Sequence, residues 1–102
     1  MPSFQVEVPH QLGKQPALDR LKMFVEKVQE RYKDQVSKVD GQWVENALNF
    51  ALTTYGFNIS GSLTVEDNSV LLQGQLPFAA LPFRGKIEQT IAGELQKQLA
   101  LS

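Results

Sequence analysis

Residues 57–76 read FNISGSLTVEDNSVLLQGQL, two runs of alternating apolar and polar residues separated by Asp67-Asn68. Alternation with a period of two is typical of half-buried β-strands. Aspartate and asparagine suit a two-residue hairpin turn because both tolerate positive φ. Since side chains alternate along a strand, the residues paired outward from this turn share one face of the sheet. The predicted pairs are Val65–Val70, Leu63–Leu72, Gly61–Gly74 and Ile59–Leu76.

The preceding residues continue this pattern and predict a four-stranded antiparallel meander. A connection near Glu45-Asn46 predicts the pairs Val39–Leu52, Gly41–Phe50 and Trp43–Leu48. A second connection, near Thr54-Tyr55, predicts the pairs Leu52–Phe57 and Phe50–Ile59. The three turns are located independently of one another, yet all three hairpins place their apolar residues on the same face. This agreement favours the predicted pairing of the strands.

A further strand and two helices complete the predicted fold. Phe4, Val6 and Val8 alternate with polar residues, which predicts a short strand. Pro16 suits the first position of a helix, and helical spacing of apolar residues continues from residue 17 to about residue 36. We expect this helix to bury Leu21, Phe24, Val25 and Val28 and to expose Glu26 and Glu30.

Pro82 is predicted to open the second helix, whose apolar stripe would cover the sheet. The residues of that stripe are Phe83, Ile87, Ile91, Leu95 and Leu99. The predicted fold class is therefore α+β, with element order β-α-β-β-β-β-α and two helices packed on one face of an antiparallel sheet. A chain of 102 residues has room for one hydrophobic core, so residues 1–102 are expected to form a single domain.

Composition excludes several classes of function. The net charge of −1, with 21% charged residues, is unlike that of a polybasic protein that binds nucleic acid. The chain has no cysteine, so it has neither a disulfide framework nor a thiolate metal site. No window approaches the roughly 18 apolar residues that a transmembrane helix needs, and the N-terminus has no signal-peptide pattern. We expect a cytoplasmic protein without a cofactor.

No pattern of catalytic residues emerges from the sequence. His10 is the only histidine, and neither a nucleophile nor several metal ligands accompany it. We expect His10 to bind backbone groups at the entry to the first helix. The hydroxyl residues of the meander lack the surrounding pattern of a nucleophile elbow, and the glycines are too scattered for a phosphate-binding loop. We therefore expect no catalytic residues, no metal site and no enzymatic activity.

Two features are candidates for binding. Trp43, Leu48, Gly61 and Gly74 are predicted to form one row across the inward face, where the opposed glycines leave a shallow hole. Three explanations stay open: close approach of the second helix or bending of the sheet, cover by Trp43, and the floor of a small apolar pocket.

Arg84 and Lys86 are the second candidate, because they lie in the predicted first turn of the second helix. The cations, together with the free amides of that turn, could hold an anion or contact a partner. The alternative is an ordinary solvated basic turn.

Several motifs resemble those of a small bacterial family, the polyhydroxyalkanoic acid system proteins. They are His10-x-Leu12 ahead of a helix containing Ala17, Trp43 and Phe50 in the meander, Gly61-x-Leu63-x-Val65, and Phe83-x-Gly85-Lys86-Ile87-Glu88-x-x-Ile91. The resemblance extends from about Phe4 to Leu99. It implies association with polyhydroxyalkanoate storage granules or their regulation, and it carries no established catalytic residues. Pro77 and Pro82 depart from the family pattern near the start of the last helix.

Two main hypotheses for function follow. The leading one is a non-enzymatic accessory or binding protein of polyester storage, which acts at a granule surface or on a granule protein. That role needs exposed apolar residues, for which Val44, Leu71 and Leu101 are candidates. The alternative is a carrier of a small apolar ligand, held in a pocket between the curved sheet and the C-terminal helix. An enzyme without a recognisable motif is the third hypothesis.

Overall fold

A computed structural model describes residues 3–31, 34, 36–54 and 57–100 of the chain. The strands are β1 (Ser3–Pro9), β2 (Val36–Val44), β3 (Ala47–Thr54), β4 (Phe57–Val65) and β5 (Ser69–Gln75). The helices are α1 (Lys14–Arg31), a 3₁₀ helix (Phe78–Phe83) and α2 (Arg84–Gln98). All five strands form one antiparallel sheet in the order β1-β5-β4-β3-β2. The α+β class and the predicted element order are confirmed.

The register of two predicted hairpins is confirmed, and that of the middle hairpin is wrong. Trp43 faces Leu48, and Gly61 faces Gly74. In the middle hairpin, Phe50 faces Gly61 rather than Ile59. Leu52 accordingly pairs with Ile59, not with Phe57. A shift of two residues keeps every side chain on its face, so the apolar alternation cannot distinguish the two registers.

The ends of the hairpins also differ in detail from the prediction. Strand β5 ends at Gln75, so the predicted pair Ile59–Leu76 is not part of the ladder. The turn at Asp67-Asn68 is present, with the Glu66 N–H donating to the Ser69 carbonyl at 2.8 Å. Neither Asp67 nor Asn68 has a positive φ, although the sequence predicted a turn in which these residues would adopt one. Among the described non-glycine residues only Glu45, in the first hairpin turn, has a positive φ, of 55°.

The core lies between the inward face of the sheet and the two helices. Its largest fully buried side chains are Leu21, Leu76, Val8, Val65 and Val70. These residues come from α1, from the segment after β5 and from β1, β4 and β5. Burial therefore concentrates on the side of the sheet that contains β1, β5 and β4.

Helix α1 buries only part of its predicted stripe. Leu21 is fully buried, whereas Phe24, Val25 and Val28 are only partly buried. The Lys22 ammonium lies 5.6 Å from the ring centroid of Trp43, on the edge strand β2. The helix thus reaches the edge of the sheet by its third turn, where fewer strands can cover the side chains that follow. Glu26 and Glu30 are exposed, as expected.

Both helices begin or end at residues other than those predicted. Helix α1 ends at Arg31, and Val36 belongs to β2, where it pairs with Thr54. Helix α2 begins at Arg84, because Pro82 lies inside the 3₁₀ helix and supplies no backbone N–H. The Arg84 N–H donates to the Leu81 carbonyl, the i to i−3 bond of a 3₁₀ helix. No helix in the described part of the chain is long and apolar enough to span a bilayer.

Candidate functional site

The opposed glycines of β4 and β5 mark a close approach of the two backbones. A Cβ atom added to Gly61 would overlap the Gln73 carbonyl oxygen and lie 2.7 Å from the Gly74 Cα. A Cβ added to Gly74 would lie 2.5 Å from Cε1 of the Phe4 ring. Real Cβ atoms do not approach other atoms so closely, so both positions require glycine as the chain is arranged.

The predicted row of Trp43, Leu48, Gly61 and Gly74 is therefore wrong as one row. Because the middle hairpin shifts by two residues, these residues fall in two adjacent rows of the inward face. The first row contains Gly41, Phe50, Gly61, Gly74 and Phe4. The second contains Trp43, Leu48, Leu63, Leu72 and Val6.

The cover over the glycines also differs from the expectation. The aromatic ring above Gly74 belongs to Phe4 on β1, which is 3% exposed, and not to Trp43. Helix α2 does not approach closely at Gly93, where an added Cβ would meet nothing within 4 Å. The space above Gly74 is instead filled by the Phe4 ring, so neither α2, nor Trp43, nor an open apolar pocket covers this glycine. Phe4 covers Gly74 because β1 pairs with β5 and places the two residues side by side.

His10 has the structural role that the sequence indicated. The side chain is 7% exposed, and its Nε2 lies 3.0 Å from the Glu66 carbonyl oxygen. The Leu12 N–H donates to Nδ1 at 3.2 Å, so Nδ1 accepts and Nε2 is the donor to Glu66. The His10 N–H itself donates to the Asn68 carbonyl at 3.0 Å. His10 thus ties the loop before α1 to the β4–β5 turn.

Arg84 and Glu88 of α2 bind the free edge of β1. The Glu88 carboxylate accepts the Gln5 N–H at 2.9 Å, and Arg84 Nη1 donates to the Ser3 carbonyl at 3.4 Å. Edge strands present unpaired backbone groups, and here α2 supplies partners for two of them. Arg84 is thus directed at a backbone carbonyl, while Lys86 is exposed on the same turn.

Three large apolar side chains of the 3₁₀ helix are exposed. Phe78 is 73% exposed, Phe83 56% and Leu81 40%. We call these three residues the apolar ridge. Beneath it, Leu76 and Ala80 are buried and fix the segment to the core. Helical spacing in the sequence did not reveal the ridge, because it assigned Phe83 to the buried stripe of the second helix.

The residues first considered for granule contact are dispersed. Val44 is 53% exposed at the end of β2, Leu71 is partly buried, and Leu101 lies outside the described residues. Met23, 58% exposed, is a further exposed apolar residue on α1.

The sequence feature that could have predicted the ridge is the pair of prolines, Pro77 and Pro82, because they interrupt the helical periodicity around it.

A polar concavity lies on the face of the sheet opposite the helices. Its volume is about 500 Å³, and we call it the outer groove. Gly61 and Gly74 form part of its lining, where the absence of side chains leaves room. The side chains that define it are Gln5, Asn49, Ser60, Ser62, Gln73 and Gln75. Along the residues that the structure describes, no group of three or more His, Cys, Asp or Glu side chains is placed to hold a metal ion.

Comparison with known proteins identifies the family to which the chain belongs. The family model described as Putative polyhydroxyalkanoic acid system protein matches residues 4–99. The comparison with curated proteins gave no match, and the comparison with solved structures gave none either. The match spans nearly the whole chain and includes both β1 and α2. The chain belongs to the family of polyhydroxyalkanoic acid system proteins.

Proposed function

We propose that this protein is a non-enzymatic accessory protein of polyester storage that docks on the granule surface through the apolar ridge. The family description supports a relation to polyhydroxyalkanoate storage. The observation that carries the proposal is the exposure of Phe78, Leu81 and Phe83 together on one short helix. Exposed apolar clusters of this kind commonly mark sites of interaction with proteins or membranes.

The ridge suits an apolar surface because its side chains are exposed and its backbone segment is anchored in the core. Leu76 is 0% exposed and Ala80 2% exposed, so the segment that presents the ridge is anchored in the core. A preorganised segment loses little conformational entropy on binding. Full burial of a large apolar side chain contributes about 1.5–3 kcal/mol. Completing the burial of these three residues would therefore contribute roughly 2.5–5 kcal/mol, which favours reversible docking.

The chemistry around the ridge favours the polyester surface over a granule protein as the contact. Exposed apolar side chains can press into a deformable polymer surface, whereas docking on a folded protein requires a complementary surface in the partner. Lys86 is exposed three residues after Phe83, and its ammonium can donate hydrogen bonds to ester carbonyl oxygens at that surface.

The alternative functions receive less support. A carrier of an apolar ligand needs space on the inward side of the glycines, and at Gly74 the Phe4 ring occupies it. A histidine-dependent enzyme needs a ring that reaches substrate, and both ring nitrogens of His10 are engaged by backbone groups. The absence of catalytic activity is thus part of our proposal.

The test is the partition of purified protein onto polyhydroxyalkanoate granules, measured by sedimentation. A triple variant with Phe78→Ser, Leu81→Ser and Phe83→Ser should lower the bound fraction at least tenfold. The matched control carries Met23→Ser and Val44→Ser, two exposed apolar residues outside the ridge, and should bind as the unchanged protein does. If the triple variant folds and binds granules normally, the ridge is not the docking surface.

A further inference from the structure

We propose that the outer groove binds a segment of an uncharged polyester chain, so that the protein holds single polymer chains as well as the granule surface. The ligand class rests on the proposed function, because it assumes that the protein meets polyester. The site itself is separate from the apolar ridge.

The three central strands of the sheet contain no charged residue. Strands β3, β4 and β5 together read ALNFALTT, FNISGSLTV and SVLLQGQ, although 21% of the whole chain is charged. Protein surfaces usually mix charges of both signs at about 25–35% of positions. An outward face without charge over three adjacent strands therefore favours an uncharged ligand. A free hydroxy acid fits poorly, because its carboxylate would find no cation in the groove.

The lining of the groove supplies hydrogen-bond donors that have no partner among the residues the structure describes. Asn49, Gln73 and Gln75 each carry an amide with two N–H donors, and Ser60 and Ser62 carry hydroxyls. Within the described part of the chain, no hydrogen bond engages these side chains. A polyester backbone has carbonyl acceptors at every repeat and no donors between its ends. The donors of the groove therefore complement it along its length.

The shape and place of the groove favour this occupant over a second copy of the chain. Two concave faces of the same protein would leave a void between them, whereas a linear chain can lie in the concavity. The groove also adjoins the ridge: Ser3 lines it, and the Ser3 carbonyl accepts a hydrogen bond from Arg84. Arg84 directly follows Phe83 of the ridge. The groove and the ridge are thus connected through the contact between Arg84 and Ser3.

The test uses a soluble probe in place of granules: a linear tetramer of 3-hydroxybutyrate with both ends capped, one as an acetyl and one as a methyl ester. Titration followed by backbone amide NMR should show saturable shifts around residues 60–62 and 73–75. Ser62→Phe, placed between Asn49 and Gln73, fills the groove and should weaken binding at least tenfold. Phenylalanine is well accepted in strands, so the variant should fold.

Thr64→Phe is the matched control, because Thr64 lies on the same face of β4 but does not line the groove. It should change tetramer affinity less than twofold. If Ser62→Phe fails to fold, Gln73→Ala combined with Gln75→Ala serves instead, with Gln42→Ala as its control. The ridge triple variant should still bind the tetramer, which separates this proposal from granule docking.

Several outcomes would overturn the proposal while leaving granule docking intact. These are no saturable shift with the tetramer, shifts confined to the ridge, and equal weakening by Thr64→Phe and Ser62→Phe. Tighter binding of free 3-hydroxybutyrate or of a neutral oligosaccharide such as maltotetraose would also overturn it, because the groove would then select another chemistry. Conversely, tetramer binding with no partition onto granules would refute the proposed function alone.

Discussion

Arg20 on α1 donates a hydrogen bond from Nη1 to the carbonyl of Gln98, the last residue of α2, at 3.2 Å. The same nitrogen also donates to the Ala100 carbonyl. The last carbonyls of a helix have no partner within it and carry its negative dipole end. One guanidinium thus joins the two helices across 78 residues of sequence and stabilises the end of α2.

Arg20→Met should lower the free energy of unfolding by about 1–2 kcal/mol, because the carbonyls at the end of α2 lose a charged donor. Chemical denaturation measures this change. Lys27→Met on the exposed side of the same helix is the control and should change stability by less than about 0.5 kcal/mol. An equal loss in both variants would mean that the contact between Arg20 and α2 contributes nothing specific.

Alanine substitutions at Gly74 and Gly93 should change the stability of the protein in opposite directions. Gly74→Ala should destabilise the protein by about 1–3 kcal/mol, because the new methyl group meets the Phe4 ring. Gly93→Ala should stabilise it by about 0.5–1 kcal/mol, since an added Cβ meets nothing there and alanine favours helices. Thermal and chemical denaturation of both variants test the pair. A stabilising Gly74→Ala would contradict the packing of Phe4 on β5.

His10→Ala should cost about 1–3 kcal/mol of stability, because the Glu66 carbonyl and the Leu12 N–H lose their partner. The loss would appear in equilibrium unfolding, and granule partition of the folded fraction should not change. Glu7→Ala, at an exposed position on β1, is the control. Loss of granule binding in folded His10→Ala would assign His10 a functional role that its contacts do not indicate.

Helix α1 should be most sensitive to substitution in its first half. Leu21→Ala should cost about 2–5 kcal/mol, because this side chain is fully buried. Phe24→Ala should cost less than Leu21→Ala, since Phe24 is partly exposed near the edge of the sheet. A larger loss of stability for Phe24→Ala than for Leu21→Ala would mean that the second half of α1 is buried more deeply than in the structure.

Local patterns were enough to predict the fold class, the inward face and the outer two hairpins of the meander. The hairpin at Asp67-Asn68 sets its own register through the turn, so the Gly61–Gly74 pair followed from sequence. The middle hairpin could not be fixed in the same way. A two-residue slip preserves the apolar face, and Leu52 pairs equally well with Phe57 or Ile59 by pattern alone.

The surroundings of the candidate site depend on structural features that local sequence patterns do not predict. Phe4 covers Gly74 only because β1 docks beside β5, a pairing between strands that are far apart in the sequence. The exposure of Phe83 depends on a 3₁₀ helix that ends before α2 begins. Helical spacing alone assigns Phe83 to the stripe of Ile87 and Ile91, and the local change of helix type turns it outward instead.

Insertion of the ridge into the granule surface is the central claim, and a fluorescent label beside the ridge tests it most directly. The chain has no cysteine, so Ala79→Cys gives one labelling site next to the three ridge side chains and leaves them intact. Met23→Cys, on the exposed side of α1, gives the control site for the same environment-sensitive dye. We predict a blue shift on adding granules for the label at residue 79 and none at residue 23. Granule-bound protein that shows no shift at residue 79, or equal shifts at both residues, would contradict docking through the ridge.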